Sequence, residues 1–131
     1  MSSSYLLDAN GVIALVIAEH EHHARVAAWT VGVEMIALCP ITEGALIRYL
    51  IRVGETVGTA AQLLTALRRS PRVEFWPDSI SYVAAALGHI TGHRQVTDAY
   101  LASLATNQGA RLATLDEALC RTLGEAVELI P

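Results

Sequence analysis

With 131 residues and a formal net charge of −4, the chain has the length of one domain, expected over 1–131, and lacks a general basic surface for nucleic acid. All nine of its Lys-or-Arg positions are arginine, which excludes a phosphate-loop lysine, a Schiff-base lysine and the lysine of a phospho-acceptor receiver. Two distant cysteines, Cys39 and Cys120, exclude a disulfide framework and fit no metal-ligand spacing; no apolar run reaches membrane-spanning length, so the cytoplasm is the expected compartment.

In chain order, Tyr5 to Leu7 reads as a first strand, Val12 to Ala18 as a short helix and His20 to Thr30 as a second. Met35 to Leu38 is the second strand. Pro40 opens a helix that continues over Thr42 to Val53. Thr56 caps the next helix, which stops at Ser70-Pro71. Val73 to Trp76 is the third strand, and Ser79 or Ser81 caps a helix expected to reach His89. Thr97 caps Asp98 to Asn107, with Gly109 just past its end. Arg111 to Thr114 is the fourth strand, Leu115 to Leu123 a helix, and Val127 to Ile130 the last strand. Short, continuously apolar strands alternating with helices predict an α/β fold with a parallel sheet covered on both faces.

Apolar residues make up 53% of the chain, enough that some of them are expected to meet a partner. "EGALIRYLIRVG" is apolar almost all round, with Arg48 and Arg52 its only basic residues. With the helix after it, this segment reads either as a hairpin that docks a partner or as one buried in the core.

Four carboxylates fall at element ends. Asp8 closes the first strand, Glu43 lies in the first turn after the second, Asp98 opens a helix, and Asp116 follows the fourth strand. In a parallel sheet, sites form beyond the C-terminal strand edge, so the four can meet there. Each has an ordinary structural reading. Asp8 can turn the chain, with Asn10 as helix cap. Glu43 and Asp98 favour the helix dipole, and Asp116 can cap its helix. Together they make an acidic pocket whose repulsion calls for a divalent cation, and all-oxygen ligands select Mg²⁺ or Mn²⁺.

His20, His22 and His23 do not form a zinc motif and read as a solvated helix start. His89, His93 and Arg94 either contact phosphate or face solvent. Trp29, Phe75 and Trp76 are expected in the core.

The motifs "LLDANGVIAL", "ITEGALIR", "VTDAYLASLA" and "RLATLDEAL", in that order over nearly the whole chain, resemble the PIN-domain ribonucleases, in particular the toxins of VapBC-type toxin–antitoxin pairs. The resemblance implies a three-layer α/β/α domain with a five-stranded parallel sheet ordered 3-2-1-4-5. It implies Mg²⁺ or Mn²⁺ held by Asp8, Asp98 and Asp116, Glu43 acting through water, and Asn10 and Thr114 as supporting polar residues. It also implies an RNA substrate (transfer or ribosomal RNA), a homodimer, and a cognate VapB-type antitoxin lying beside the "EGALIRYLIRVG" hairpin. Ala9 stands where Thr is common in the family, and Gly11 where a larger apolar residue is usual. Glycine at a helix start costs up to about 1 kcal/mol against alanine, so Gly11 is expected to loosen the support of Asp8.

The expected activity is therefore metal-dependent hydrolysis of RNA phosphodiesters by a toxin that inhibits translation and growth. Arg48 and Arg94 are candidate RNA contacts, and Arg52, Arg68, Arg69 and Arg72 add local positive charge. The rival readings are a non-catalytic PIN-fold binding module, a receiver-like phospho-acceptor, and a metal-dependent nuclease or phosphatase acting on another phosphoester.

Overall fold

The computed structural model describes residues 4–131. Five strands form one parallel sheet: β1 (Ser4–Leu7), β2 (Met35–Leu38), β3 (Val73–Phe75), β4 (Arg111–Thr114) and β5 (Val127–Leu129), in the order β3-β2-β1-β4-β5. The strand bounds agree with the sequence reading to within one residue; β1, β2 and β4 at the centre are short runs whose side chains are mostly buried, whereas the edge strands β3 and β5 each carry a glutamate and are less covered.

Alternation along the strands divides the core in two. Leu7, Ile36, Leu38 and Ala113 face one side. There they pack under α1 (Ala9–Val16), α2 (His23–Val31), α3 (Pro40–Arg52) and α4 (Val57–Arg68). Leu6, Ala37, Leu112 and Val127 face the other side, under α5 (Val96–Asn107) and α6 (Glu117–Leu123). The three-layer α/β/α arrangement follows. Ala-rich α5 buries Ala99, Tyr100, Leu101, Ala102, Leu104 and Ala105, the small side chains letting the helix lie close on the sheet.

Several expectations are corrected. The helix over Ser79 to His89 is absent. Ser81 does cap, but only a 3₁₀ turn of three residues, Tyr82–Ala84. Tertiary bonds compete with helix there: Ile80 C=O accepts from Tyr100 Oη (2.9 Å), and Ala86 N–H donates to Ser103 Oγ (2.9 Å). Helix α2 starts at His23 rather than His20, because residues 17–23 form turns closed by His20 N–H to Ile17 C=O and His23 N–H to His20 C=O, each 3.0 Å. Helix α5 starts at Val96, running on from a 3₁₀ turn over His93–Gln95, so Thr97 is not its cap. Phe75 is 37% exposed and lies beneath the Arg68 guanidinium (4.7 Å) instead of in the core. Trp76 is buried, and Trp29 is half-buried edge-on to Tyr5.

The α3–α4 hairpin is buried along one part and exposed at its tip. Leu46 and Leu50 are in the core, whereas Ile51, Val53 and Val57 at its tip are exposed. Among the described residues, both cysteines are free thiols, and no helix is long and apolar enough to cross a membrane.

Candidate active site

The site begins where β1 ends. The Asp8 backbone N–H donates to Ala113 C=O (3.1 Å), extending the β1–β4 ladder one residue and seating Asp8 beside Thr114. Its side chain then caps α1: Oδ1 accepts from Gly11 N–H (2.8 Å), satisfying one of the free donors of the first turn. Oδ2 accepts from Thr114 Oγ1 (2.5 Å). Asp8 is thus both the cap of α1 and a buried acid, and the cap anticipated at Asn10 falls to Asp8 instead. Asn10 is exposed in the first turn of α1.

Thr114 joins two acids. While donating to Asp8, its Oγ1 also accepts from the Asp116 backbone N–H (3.0 Å). Asp116 caps α6 through Oδ1, which accepts from Ala118 N–H (2.9 Å) and Leu119 N–H (3.2 Å). Asp98 stands in the first turn of α5 and is half-buried. Its carboxylate makes no hydrogen bond or ion pair among the described residues.

Asp8 lies in the field of both Asp98 and Asp116, and Asp98 in that of Asp116. Burial, with the charges of Asp98 and Asp116 added, pushes the Asp8 carboxyl up to about 6 despite the hydrogen bonds from Thr114 and Gly11. Burial first, then the charge of Asp116, holds Asp98 above the usual carboxylate range. The ion pairs Glu43–Arg68 and Glu128–Arg111 and the Glu21–His22 contact are the charged contacts among the described residues, and none of them involves Asp8, Asp98 or Asp116.

Two cavities adjoin this group. One, of about 350 Å³, is lined by Asp8, Asn10, His20, Glu21, His22 and Asp116. The other, of about 200 Å³, is lined by His89, Arg94, Gln95, Asp98, Asp116 and Thr122 among others. Asp116 belongs to both. The loop carrying His89 and Arg94 is tied by Gln95 Oε1, which accepts from Thr91 N–H (2.6 Å) and Gly92 N–H (3.1 Å).

Glu43 is the predicted acid that lines neither cavity. Its Oε2 accepts from Arg68 Nη1 (3.0 Å), an ion pair that links the first turn of α3 to the last turn of α4. Arg48 is exposed on α3 and likewise lines neither cavity, whereas Arg94 does. Among the described residues no three ligating side chains converge tightly enough to enclose a metal ion. The three acids nevertheless offer only oxygen donors and stand in no ion pair among the described residues. That suits a hard divalent cation held through one or two carboxylates and water, as magnesium usually is.

Sequence reasoning passed over three features. The His20–His22 turn, read from sequence as a solvated helix start because its spacing fits no zinc motif, forms a wall of the larger cavity, which it reaches through the end of α1. Gln95 had no sequence signal at all. Gly11 had one, read with the wrong sign. A Cβ at Gly11 would stand 2.5 Å from Leu7 Cδ1 and 2.9 Å from Asp8 Oδ1, so the absent side chain makes room for the cap that holds Asp8.

A Thr114→Val substitution keeps the shape and removes both hydrogen bonds. It is expected to lower stability by about 1–3 kcal/mol by leaving the Asp116 N–H unpaired. It should also reduce cation affinity or turnover roughly tenfold or more, as loss of a group orienting a ligand does. Thermal unfolding and cation titration measure the two effects.

Comparison with known proteins bears on what this arrangement is for. The family model described as the PIN domain matches residues 5–124. Ribonuclease VapC29 of Mycobacterium tuberculosis is 46% identical over 127 residues, covering 96% of each chain. Ribonuclease VapC38 of the same organism is 36% identical over 118 residues, covering 85% of this chain and 84% of the relative. Among solved structures, VapC20 of M. tuberculosis, described as a Sarcin-Ricin loop cleaving toxin, superposes with a TM-score of 0.68 at 16% identity, over 89% of this chain and 93% of its own. VapBC2 of Rickettsia felis, bound to a promoter DNA fragment, gives 0.67 at 18% identity over 98% and 99%. At those identities the structural likenesses carry the fold alone.

Proposed function

The chain belongs to the PIN-domain family and, within it, to the VapC-type ribonucleases; from that premise we propose that it is a Mg²⁺- or Mn²⁺-dependent endoribonuclease toxin acting in the cytoplasm. The observation that carries the metal-dependent part is the trio Asp8, Asp98 and Asp116. These acids come from distant parts of the chain to one sheet edge, and none is neutralised by an arginine or histidine.

In this reading Asp8, Asp98 and Asp116 hold the cation together, one or two of them directly and the rest through its water. When bound, it supplies the positive charge that lets them ionise together and acidifies water at the site. Thr114 keeps Asp8 and Asp116 in mutual register, and Asn10 offers an amide at the cavity mouth. Arg94 draws the RNA backbone toward the acids from the side of Asp98. Arg48, exposed farther along α3, is a contact for RNA beyond the acids. Glu43, at the same sheet edge, accepts the proton of the attacking water once it is released from Arg68.

The partner in this proposal is a VapB-type antitoxin, as the pairing named in the R. felis complex supports. Exposed Ile51, Val53 and Val57 at the α3–α4 tip supply apolar surface for it, and a homodimer covers part of the rest. The RNA is transfer or ribosomal RNA, the Sarcin-Ricin loop named for VapC20 being one instance.

Mapping new RNA 5′ ends in cells after inducing the parent and Asp98→Ala tests the proposal. Discrete ends that appear with the parent and vanish with the variant are expected; the same ends with both would remove the acids from the chemistry. A second reading, a non-catalytic PIN-fold module, is favoured by the lack of three converging ligands among the described residues. Calorimetric titration with Mg²⁺ or Mn²⁺ separates it, since such a module takes up neither. A preference for another phosphoester would emerge from comparing RNA with DNA and small phosphate esters.

A further inference from the structure

Resting on the nuclease reading, we propose that the His20–Glu21–His22 turn is a substrate wall in which His20 Nε2–H donates to an RNA backbone phosphate next to the one cut. The turn shares the cavity of about 350 Å³ with Asp8, Asn10 and Asp116. That volume lies in the range that holds ligand-sized groups. Across Asp116 lies the cavity of about 200 Å³ with His89, Arg94 and Asp98. An RNA strand crossing the acids runs from one cavity into the other. The second already has its cationic donor in Arg94; the first has the histidines.

The turn is built in advance of any ligand. His23 Nδ1 lies 2.8 Å from Ala14 C=O and clips the turn to α1. The His22 backbone N–H donates to His20 Nδ1 (3.0 Å). A ring nitrogen that accepts a backbone N–H carries no proton of its own, so the His20 proton sits on Nε2. That N–H has no hydrogen-bond acceptor among the described residues. His22 Nε2 stands 3.5 Å from Glu21 Oε1, so the carboxylate in this turn lies on the side of His22. The larger cavity therefore offers, beside the exposed amide of Asn10, a ring N–H whose tautomer is set by the turn itself and which shares its lining with Asp8 and Asp116. The acceptor that RNA presents at every residue is a phosphate oxygen.

The contact has a signature that sets it apart from Arg94. It reads backbone, so it is indifferent to base sequence. It carries no charge, so it displaces no counterion and leaves the salt dependence of binding alone.

The test compares steady-state cleavage of two short single-stranded RNAs of unrelated sequence by the parent, His20→Ala, His20→Gln and His20→Asn, each first shown by thermal unfolding to be folded. His20→Ala is expected to raise KM roughly three- to tenfold for both RNAs, the worth of one hydrogen bond. Its kcat should change by less than about twofold. His20→Gln, whose amide nitrogen reaches the Nε2 position, recovers most of the loss; His20→Asn, which reaches only Nδ1, does not. The salt slope of KM stays parental in His20→Ala and becomes shallower in Arg94→Ala. Parental KM in His20→Ala, equal rescue by Asn and Gln, or a rise confined to one RNA each overturns the proposal while the nuclease reading stands. A parent that cuts no RNA overturns both.

Discussion

An Asp8→Asn variant is expected to cut RNA at least about a hundredfold more slowly than the parent, since even a residue that merely orients a ligand is worth 10–100-fold. It is also expected to unfold at a higher temperature than the parent in EDTA at pH 7. The two effects have one cause. The carboxyl titrates at about 6 in the folded chain against an ordinary value of 3.8. Because the folded state holds the proton more tightly, the stability tied to this group is fully present below about pH 4 and is lost as pH rises through about 6. A gap of that size corresponds to about 3 kcal/mol at pH 7. Asparagine keeps an acceptor for Gly11 N–H and never ionises. The variant should therefore gain roughly 5–10 °C at pH 7, and its melting temperature should fall less than the parent's between pH 4.5 and 7. Adding Mg²⁺ should raise the parent's melting temperature more than the variant's, because binding to the folded state is what stabilises it. Parental cleavage by Asp8→Asn, or a parent and variant with the same pH profile in EDTA, would separate Asp8 from the cation.

The pattern of what the sequence discloses follows from the range of the forces involved. Strands such as Leu6-Leu7 and Leu112-Ala113 are apolar on both sides because helices cover both, so a parallel sheet is readable from local composition. The placement of Asp8, Asp98 and Asp116 at one edge then follows from the sheet being parallel, with no side-chain information needed. The segment after Trp76 was not readable, because Ser81 caps in either structure and the decision belongs to Tyr100 and Ser103 on another element. Glu43 shows the same limit: its position in the first turn of α3 is local, but the Arg68 that holds it lies one helix away. Arg48 and Arg94 looked alike as candidates, and only the tertiary arrangement puts Arg94 beside the acids.

Gly11 is where local propensity and tertiary packing give opposite signs, and a pair of substitutions decides between them. On helix propensity alone, Gly11→Ala should stabilise α1 by up to about 1 kcal/mol. The added methyl would stand 2.5 Å from Leu7 Cδ1, 2.8 Å from Leu7 Cγ and 2.9 Å from Asp8 Oδ1, all closer than unstrained contact permits. Leu7 is fully buried in the core under α1, so any shift of its side chain must displace other core residues. Overpacking of this kind costs about 1–3 kcal/mol, which outweighs the propensity gain. Gly11→Ala should therefore melt roughly 3–8 °C below the parent. By displacing the Asp8 carboxylate from its bonds to Gly11 N–H and Thr114, it should also weaken cation binding and cleavage by roughly tenfold or more. Gly58 is the control. It sits in the first turn of α4, exposed, and a Cβ there would meet only Thr56 Oγ1, at 3.9 Å. Gly58→Ala should raise the melting temperature by a few degrees and leave cleavage unchanged, as propensity alone dictates. If Gly11→Ala behaved like Gly58→Ala in both measurements, Asp8 would not depend on the close approach of that backbone, and the small residue after "DAN" would be incidental to the site.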